Sequence, residues 1–431
     1  MLATLTLLSP AAVAATPRAD CVDPSVQPTV EEQRLTAEVP QQILRASGFD
    51  DVGPRFAARL CSVTDQDDAE ELIATEGDRL WERAVAQAQG DAVGGLPAGD
   101  DRPLYWARLT MTKALRQWKS EFSLDQGERD ALLWSLEQHS RGQTSIDFPP
   151  SDGIKRVLVS GFDPFQLNDD IRRSNPSGAS ALALDGTVVM TDAGPARIET
   201  AMFPVLWTPF EQGMVEKTFL PHLVPGPRQV DIFVTVSQGR PDRFDVEHWN
   251  GRWHQGVDNN DETRLGTISV PEGIPTVTPA PEFVPTTQAY ADIVRADTGR
   301  FPAYHNTEVT EIPAGQTEPV DQPDGPTPGS VARAGGGGSY LSNEIAYRTT
   351  LLRDALGVQL RGGHVHTPVL TFAPDNLTEV TDPVFEQNLH DIVSQVRNIV
   401  TVATGADGTA SVLDLPRSPR DHTGRLPEPS M

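Results

Sequence analysis

The chain has 431 residues, enough for two or three structural units of ordinary size. Hydrophobic residues make up 38% of it and charged residues 22%, which is typical of a globular protein. Lysine and arginine total 35 against 60 aspartates and glutamates, so the net charge is -25. This charge repels phosphate backbones and anionic bilayers, and it argues against a nucleic-acid or membrane partner.

Residues 1–15 carry no charge, contain the apolar run 2–8 and end in the small-x-small sequence Ala12-Val13-Ala14. This pattern predicts a signal peptide and a secreted or extracytoplasmic protein. The first basic residue is Arg18, so the basic n-region is missing and a plain apolar N-terminus is the alternative. The two cysteines, Cys21 and Cys61, then form one disulfide, which leaves no thiol for catalysis.

A helical pattern runs through most of residues 16–148, which we expect to form a small all-α accessory domain without a chemical motif. Apolar residues recur there at three- and four-residue spacing, and proline and glycine separate the segments. The predicted helices are Glu31–Ser47, Asp68–Gly90, Leu104–Phe122 and Asp125–Ser140.

A second unit, predicted for residues 154–404, follows a Pro-Pro-Ser-Asp-Gly linker at 149–153. Strands alternate with helices in it, which favours an α/β fold with a mostly parallel sheet covered on both faces. The predicted strands are Arg156–Ser160, Thr187–Thr191, Val230–Val236 and Gly362–His366, and the predicted helices are Phe210–Leu223, Asn343–Leu356 and Asp382–Val402.

One segment of this unit and the segment that follows it are predicted to be irregular. Residues 270–333 are proline-rich and acidic, and we expect a long loop or partly ordered insertion. Residues 405–431 are polar and contain prolines, which predicts a disordered tail. No stretch after the first fifteen residues reaches the roughly 18 apolar residues of a membrane span.

A glycine-rich segment, Gly-Gly-Gly-Gly-Ser-Tyr-Leu-Ser-Asn-Glu at 335–344, leads directly into a helical pattern. A serine there, such as Ser342, lies near a helix N-terminus, where unpaired N–H groups and the helix dipole stabilise a nucleophile or an oxyanion. The segment also fits a flexible linker, with Ser342 as N-cap and Glu344 in the first turn. By itself the segment leaves both interpretations open.

Two further segments could complete a catalytic site. His364 and His366 stand at strand spacing, and one of them could be a general base; a metal site lacks a third ligand in the sequence pattern, and a structural role is the other alternative. Glu247 follows the predicted strand Val230–Val236. In parallel sheets chemistry lies beyond the carboxyl ends of strands, so Glu247 could orient a histidine.

These segments occur in the order found in pyroglutamyl peptidase I, also called pyrrolidone-carboxylate peptidase, and the chain resembles that family from 156 to 368. The family's Gly-Phe-Glu-Pro-Phe is matched by Gly-Phe-Asp-Pro-Phe at 161–165, and its Asn-Pro-Ser stands at 175–177. Its Gly-Arg element is at 239–240. Its Ala-Gly-x-Tyr-x-Cys-Asn is matched by Gly-Gly-Ser-Tyr-Leu-Ser-Asn at 337–343, and its Gly-Phe-x-His-x-Pro by Gly-His-Val-His-Thr-Pro at 363–368.

The resemblance implies a three-layer α/β/α sandwich that removes pyroglutamate from the blocked N-terminus of peptides, with no cofactor and no metal, in a protein that can be a homo-oligomer. It implies Ser342 as nucleophile, His366 as base and Glu247 as the acid. The substrate-binding residues that it implies are Phe162, Phe165, Gln238, Tyr340, Leu341 and Asn343.

The chain departs from the family pattern where the nucleophile stands, because Ser342 replaces the family's cysteine. Gln166-Leu167 replaces a Gly-Gly pair, and of the family's Arg-Ile-Pro-Asp-Asn only Asp258-Asn259-Asn260 remains. A serine must lose its proton during attack, which a Ser-His-Glu arrangement can achieve. The alternative prediction is a catalytically inactive homologue that acts as an exported peptide- or ligand-binding protein.

Overall fold

The computed structural model describes residues 21–90, 94–149 and 153–406. The predicted signal peptide and the predicted disordered tail from residue 407 lie outside the described residues. Within them, no helix combines the length and the apolar character needed to cross a membrane.

The described residues before 150 form helices, two 3-10 turns and one isolated bridge between Val22 and Trp118. Compared with the prediction, the first helix is split, a helix over residues 52–60 is added, and the third helix ends six residues earlier. The helices are α1 (Val30–Gln33), α2 (Glu38–Ser47), α3 (Val52–Leu60), α4 (Gln66–Ala88), α5 (Arg102–Arg116) and α6 (Gln126–His139), with 3-10 turns at Arg34–Thr36 and Phe49–Asp51.

The predicted disulfide between Cys21 and Cys61 is confirmed, with 5.5 Å between the Cα atoms. It joins the segment before α1 to the C-cap of α3. Since these are the two cysteines of the chain, the described structure contains no free thiol.

The second part of the chain alternates strands and helices. Its elements in chain order are β1 (Lys155–Phe162), α7 (Pro176–Leu184), β2 (Val188–Thr191), β3 (Gly194–Phe203), α8 (Trp207–Glu211), α9 (Met214–Leu223), β4 (Ile232–Gln238), β5 (Phe244–Glu247), β6 (Trp249–Gly251), β7 (Trp253–Val257), β8 (Thr263–Thr267), β9 (Phe283–Pro285), α10 (Tyr290–Arg295), β10 (Ala303–Asn306), β11 (Val309–Ile312), β12 (Val320–Gln322), β13 (Val331–Ala334), α11 (Leu341–Leu356), β14 (Arg361–Thr367) and α12 (Pro383–Gly405).

Seven strands form the central sheet, in the order β10-β5-β14-β4-β1-β3-β2. The four middle strands, from β14 to β3, run parallel; β5 is antiparallel to β14, and β2 is antiparallel to β3. The prediction of a mixed α/β fold with a mostly parallel sheet is therefore confirmed.

The side chains of β1 point alternately to the two faces of the sheet, and each face packs into a different hydrophobic cluster. Val157 and Val159 pack with residues of α7 and α12, whereas Leu158 packs with residues of α9 and α11. This explains why the strand reads as a continuous apolar run. The full three-layer arrangement stays a prediction.

The helix predicted over 210–223 is present as α9 from Met214, and its first residues belong to a separate short helix, α8, with Gly213 between the two. Gly213 has φ 80°, a left-handed conformation that glycine adopts without strain. A β-carbon there would lie 2.7 Å from Cδ1 of Ile274, so close packing also requires the glycine.

The proline-rich insertion, residues 270–333, is more ordered than the sequence indicates. It contains four complete strands, the helix α10 and most of a fifth strand, β13. β10 joins the central sheet at its edge and pairs in parallel with β5. The insertion therefore extends the sheet next to the strand that carries Glu247.

The helical part and the α/β part share one hydrophobic cluster. Leucines of α2 to α6 pack in it together with Leu167, Leu182 and Met202 of the second part. A backbone bond from Met202 N to Arg141 O, 2.9 Å long, joins the two parts directly. The all-α accessory domain over residues 16–148 stays a prediction.

Candidate active site

Strand pairing brings the predicted histidine and acid together. His366 lies near the carboxyl end of β14, opposite Ser237 of β4 on one side and opposite Asp245 of β5 on the other. Because β5 runs antiparallel to β14, Glu247 at its end lies opposite His364. His366 is two residues further along β14, and the side chain of Glu247 reaches it along the sheet.

Glu247 Oε1 is 2.8 Å from His366 Nδ1, and both residues are 2% exposed. This contact requires the proton on Nδ1 when the ring is neutral, so Nε2 is left as a base. Nε2 is buried and has no hydrogen-bond partner among the described residues. The pair therefore has the geometry of an oriented general base, and Ser342, the predicted nucleophile, makes no hydrogen bond to His366 Nε2.

His364 has a structural position beside the catalytic candidate. Its ring packs edge-to-face on that of His366 at 4.5 Å, and its Nδ1 is 2.8 Å from Thr235 Oγ1. Burial, and then the neighbouring His366, hold the pKa of His364 well below its ordinary value, so its ring is neutral. Among the described residues, no three His, Cys, Asp or Glu side chains cluster in a way that could hold a metal ion.

A second carboxylate lies close to the pair. Asp245 is buried, and burial, followed by the charge of Glu247, raises its pKa above the ordinary value. Arg243 Nε and an Arg240 guanidinium nitrogen lie 3.2 and 3.4 Å from Asp245 Oδ2 and partly offset this effect. The site thus combines two acids with two flanking arginines.

Asn306 is a residue of this site that the sequence patterns did not indicate. It ends β10, inside the proline-rich insertion, and its Nδ2 donates to Glu247 Oε2 at 2.8 Å. The same Nδ2 donates to Gly336 O at 2.5 Å. No local motif surrounds this asparagine, and only the addition of β10 to the sheet brings it to the acid.

The glycine segment 335–338 is a tight turn that packs on the pair. Gly335 and Gly338 bond to each other through both backbone groups, and Gly336 N donates to Trp249 O at 2.8 Å. A β-carbon on Gly336 would overlap Glu247 Oε2, and one on Gly337 would overlap His366 Cε1 and lie 2.9 Å from Nε2. Glycine is required here for the close approach of backbone to side chains, not for flexibility.

Ser342 is the second residue of α11 and is 8% exposed. The N-cap is Tyr340, which makes no side-chain capping bond, so the interpretation of Ser342 as N-cap is wrong. The first N–H groups of a helix have no intrahelical partners and carry partial positive charge. Ser342 therefore lies where the sequence indicated, in the first turn of a helix.

A buried ionic chain anchors that first turn. Glu344 Oε2 lies 2.8 Å from His254 Nδ1, Glu344 Oε1 lies 2.7 Å from Arg348 Nη2, and Arg348 Nη1 lies 2.8 Å from Glu216 Oε1. Burial favours a raised pKa for Glu344, but Arg348 and then His254 outweigh it and lower that pKa. The charged network fixes α11 against α9 and β7.

The predicted aromatic binding residues occupy different depths. Phe162 is 3% exposed and packs against Phe203 and Phe210, at ring distances of 6.4 and 6.1 Å. Phe165 is half-buried and stacks on Tyr340 at 6.2 Å. The Tyr340 hydroxyl donates to Val257 O at 2.7 Å. Of these rings, Phe165 and Tyr340 retain surface for a ligand.

The remaining predicted binding residues are also placed. Gln238 is half-buried at the end of β4, opposite Thr367, and Leu341 is buried. The side chain of Asn343 bonds both backbone groups of Gly251: Oδ1 accepts from Gly251 N, and Nδ2 donates to Gly251 O. Nδ2 also donates to Trp253 O. Its side chain therefore holds β6 against α11. The substrate-binding roles of all six residues stay predictions.

Two family models match the chain. The model described as "PA0049 N-terminal domain" matches residues 12–137, and the model described as "PA0049, C-terminal domain" matches residues 156–300 and 276–371. A relative from Pseudomonas aeruginosa, "Uncharacterized protein PA0049", is 34% identical over 460 residues, which cover 84% of this chain and 83% of the relative.

Among solved structures, the chain is similar to pyroglutamyl peptidase I from Bacillus amyloliquefaciens, at 20% identity and a TM-score of 0.38, over 58% of this chain and 95% of that one. It is also similar to a mutant pyrrolidone carboxyl peptidase from Pyrococcus furiosus, at 21% identity and a TM-score of 0.38, over 57% and 97% of the two chains. Both likenesses are partial.

Proposed function

The chain belongs to the PA0049 family, and for this member we propose a hydrolytic activity in which Ser342 is the nucleophile, His366 the general base and Glu247 the acid that orients it. The observation that carries the proposal is the buried 2.8 Å contact between Glu247 and His366 Nδ1, which leaves Nε2 unpaired among the described residues. A buried acid–histidine pair at the end of a strand, close to a helix N-terminus, is the arrangement that activates a hydroxyl.

The steps follow from these roles. His366 Nε2 takes the Ser342 proton as Oγ attacks the acyl carbon, and Glu247 stabilises the imidazolium that forms. The ring then gives the proton to the leaving amine, and an ester on Ser342 remains. Water, deprotonated by the same nitrogen, cleaves the ester and restores the serine. The first N–H groups of α11 supply hydrogen bonds to the oxyanion in both steps.

For the substrate we propose a peptide whose N-terminus is blocked by pyroglutamate or a similarly small acyl group. Two features support this finer proposal. The first is the set of sequence motifs shared with pyroglutamyl peptidase I. The second is the half-buried stack of Phe165 on Tyr340, which offers an apolar surface to a small ring.

Gly337 packs closely on the imidazole, since a β-carbon there would lie 2.9 Å from His366 Nε2. Catalytic hydrogen bonds are often absent until a substrate is bound, so we expect the bond between Ser342 Oγ and His366 Nε2 to form in the substrate complex.

We also propose that the protein acts outside the cytoplasm, as the predicted signal peptide implies. The Cys21–Cys61 disulfide supports this location, because disulfides persist mainly in oxidising compartments. We further propose that residues 154–404 form a three-layer sandwich that carries the catalytic site, and that residues 16–148 form its accessory domain.

The decisive experiment is hydrolysis of a fluorogenic pyroglutamyl amide by wild type and by Ser342→Ala. We expect the variant to lose activity by at least about a hundredfold, since the hydroxyl is the attacking group. Ser339→Ala, three residues earlier on the same segment, is the matched control and should retain the wild-type rate. Equal rates for wild type and Ser342→Ala would refute the proposal.

Ser342→Cys extends this experiment. A thiolate forms beside a histidine more readily than an alkoxide, so turnover by this variant, with or without turnover by wild type, would show that the remaining site is competent.

The same unpaired Nε2 favours a second candidate function, an inactive homologue that binds a blocked peptide. In this case Ser342→Ala should bind a pyroglutamyl peptide as tightly as wild type does, measured by calorimetry, and neither protein should hydrolyse it. Wild-type turnover above the Ser342→Ala background would exclude this second function.

A further inference from the structure

Asn306 is 1% exposed and lies directly beside Glu247 in the sheet. Its side-chain nitrogen donates two hydrogen bonds, to Glu247 Oε2 at 2.8 Å and to Gly336 O at 2.5 Å. Its Oδ1 accepts from Glu308 N, and its backbone carbonyl accepts from His248 N. The side-chain amide is therefore held at both ends: its nitrogen donates to two oxygens and its oxygen accepts from an N–H group. These contacts define which end is nitrogen and which is oxygen.

The two oxygens of Glu247 have different partners. Oε1 faces His366 Nδ1, and Oε2 faces Asn306 Nδ2. A carboxylate that bonds a ring through one oxygen can still rotate about its terminal torsion, which is broad. The bond to Asn306 removes this freedom, so the direction in which the imidazole is held depends on an asparagine from the insertion.

The second bond of Asn306 connects the acid to the glycine turn. Gly336 donates its N–H to Trp249 O and gives its carbonyl to Asn306, while the neighbouring Gly337 lies against the His366 ring. One amide group thus contacts both the group that orients the base and the segment that covers it. A change at Asn306 must alter these two contacts together.

We propose that Asn306 is a positioning residue of the Ser342–His366–Glu247 site, which fixes the second carboxylate oxygen of Glu247 and the carbonyl of Gly336 in one arrangement. This inference rests on the proposed function for the roles of the three residues. It makes the proline-rich insertion a part of the catalytic machinery and not an external addition to it.

The test is the titration of the His366 ring in Asn306→Asp, followed by nuclear magnetic resonance of histidine-labelled protein. His366→Asn identifies its signals among the nine histidines. The variant adds a further carboxylate beside Glu247, besides that of Asp245, and this favours the imidazolium. We expect the midpoint of the His366 titration to move upward by about one pH unit or more. Asn388→Asp, at a buried asparagine on α12, is the matched control and should leave it unchanged.

Asn306→Ser is the second variant, and it is used if Asn306→Asp does not fold. Its short hydroxyl cannot reach both Glu247 and Gly336, so the carboxylate faces the ring without its second partner and the midpoint should again rise, by less. If either variant folds and its His366 titration has the same midpoint as that of wild type, the inference is overturned.

The kinetic measurement separates this inference from the proposed function. If wild type hydrolyses the pyroglutamyl amide, Asn306→Ser should lower kcat at least about tenfold with little change in KM, because orientation of the base and not binding is lost. If wild type shows no turnover while the titration moves as expected, the proposed function fails and the positioning role of Asn306 stands.

Discussion

At the scale of single residues, the glycine turn shows the tightest constraint of the site. A β-carbon on Gly337 would coincide with the edge of the His366 ring, and nothing in the backbone angle of Gly337 requires glycine. The constraint comes entirely from the ring behind it. This residue therefore tests whether the turn and the base form one unit.

We predict that Gly337→Ala destabilises the protein by about 1–3 kcal/mol, the usual cost of overpacking, and lowers any hydrolytic activity by roughly a hundredfold through displacement of the ring. Denaturant unfolding and the amide assay measure the two effects. Gly99→Ala is the control, since a β-carbon there meets no heavy atom within 4 Å. Wild-type stability of Gly337→Ala would show that the turn is free to move.

At the scale of elements, the helical part is attached to the candidate site by buried charges. Asp163, in the turn after β1, is fully buried and pairs with Arg108 of α5 and with Arg141 just after α6; Arg141 Nη2 lies 2.6 Å from Asp163 Oδ2. Burial, and then the charge of Arg108, lower the pKa of Arg141 to about 10. The turn between Phe162 and Phe165 is thus held by two arginines from the helices.

We predict that Asp163→Asn lowers the free energy of unfolding by about 3–5 kcal/mol, because two buried guanidinium groups lose their buried counter-charge and keep only the partly exposed Glu137 as a shared carboxylate. Urea unfolding is the measurement. The exposed pair Glu211–Arg264 offers the control, and Glu211→Gln should cost less than about 1 kcal/mol. Equal effects of the two variants would mean that the helices do not depend on this contact.

At the scale of the whole molecule, the two parts also meet at Asp101, at the start of α5. Asp101 accepts hydrogen bonds from Ser174 Oγ and Asn175 N of the second part. Burial, and then the charge of Asp100, raise the pKa of this carboxyl from 3.8 to about 8. Its protonation is thereby linked to the folding of the molecule.

The contribution of Asp101 to stability should fall as pH rises between about 4 and 8. In this range the unfolded chain has lost the Asp101 proton and the folded protein retains it, so unfolding releases a proton and becomes more favourable with pH. The slope from this one group is at most about 1.4 kcal/mol per pH unit. Glu199, whose pKa burial raises to about 7, adds a slope of the same sign.

Asp101→Asn isolates the first contribution, because its amide does not titrate. We expect the stability of this variant relative to wild type to increase from pH 5 to pH 8, measured by urea unfolding at several pH values. Asp67→Asn, at an exposed residue of α4, should show no such trend. A constant difference between Asp101→Asn and wild type would contradict the linkage.

Much of the fold could be predicted because local patterns carry it. Apolar runs such as 156–160 and 230–236 identify buried strands, and helical spacing identifies α4, α6, α11 and α12. What failed were short, polar or proline-rich elements. Three-residue strands such as β6, β9 and β12 are too short to show a period, and β10 reads as loop because its partners come from elsewhere in the chain.

The sequence alone determined the disulfide and the mostly parallel sheet, since these depend on residue type and on local apolar patterns. It also indicated His366 and Glu247 as partners through an ordered set of motifs, and the antiparallel pairing of β5 with β14 brings them together. Only the tertiary structure decided that Asn306 completes the acid's contacts, that the glycines form a packed turn and not a linker, and that Asp163 is held by helices from the first part of the chain. The physical reason is that all three depend on contacts between segments that lie far apart in the chain, and no local pattern of residues encodes such contacts.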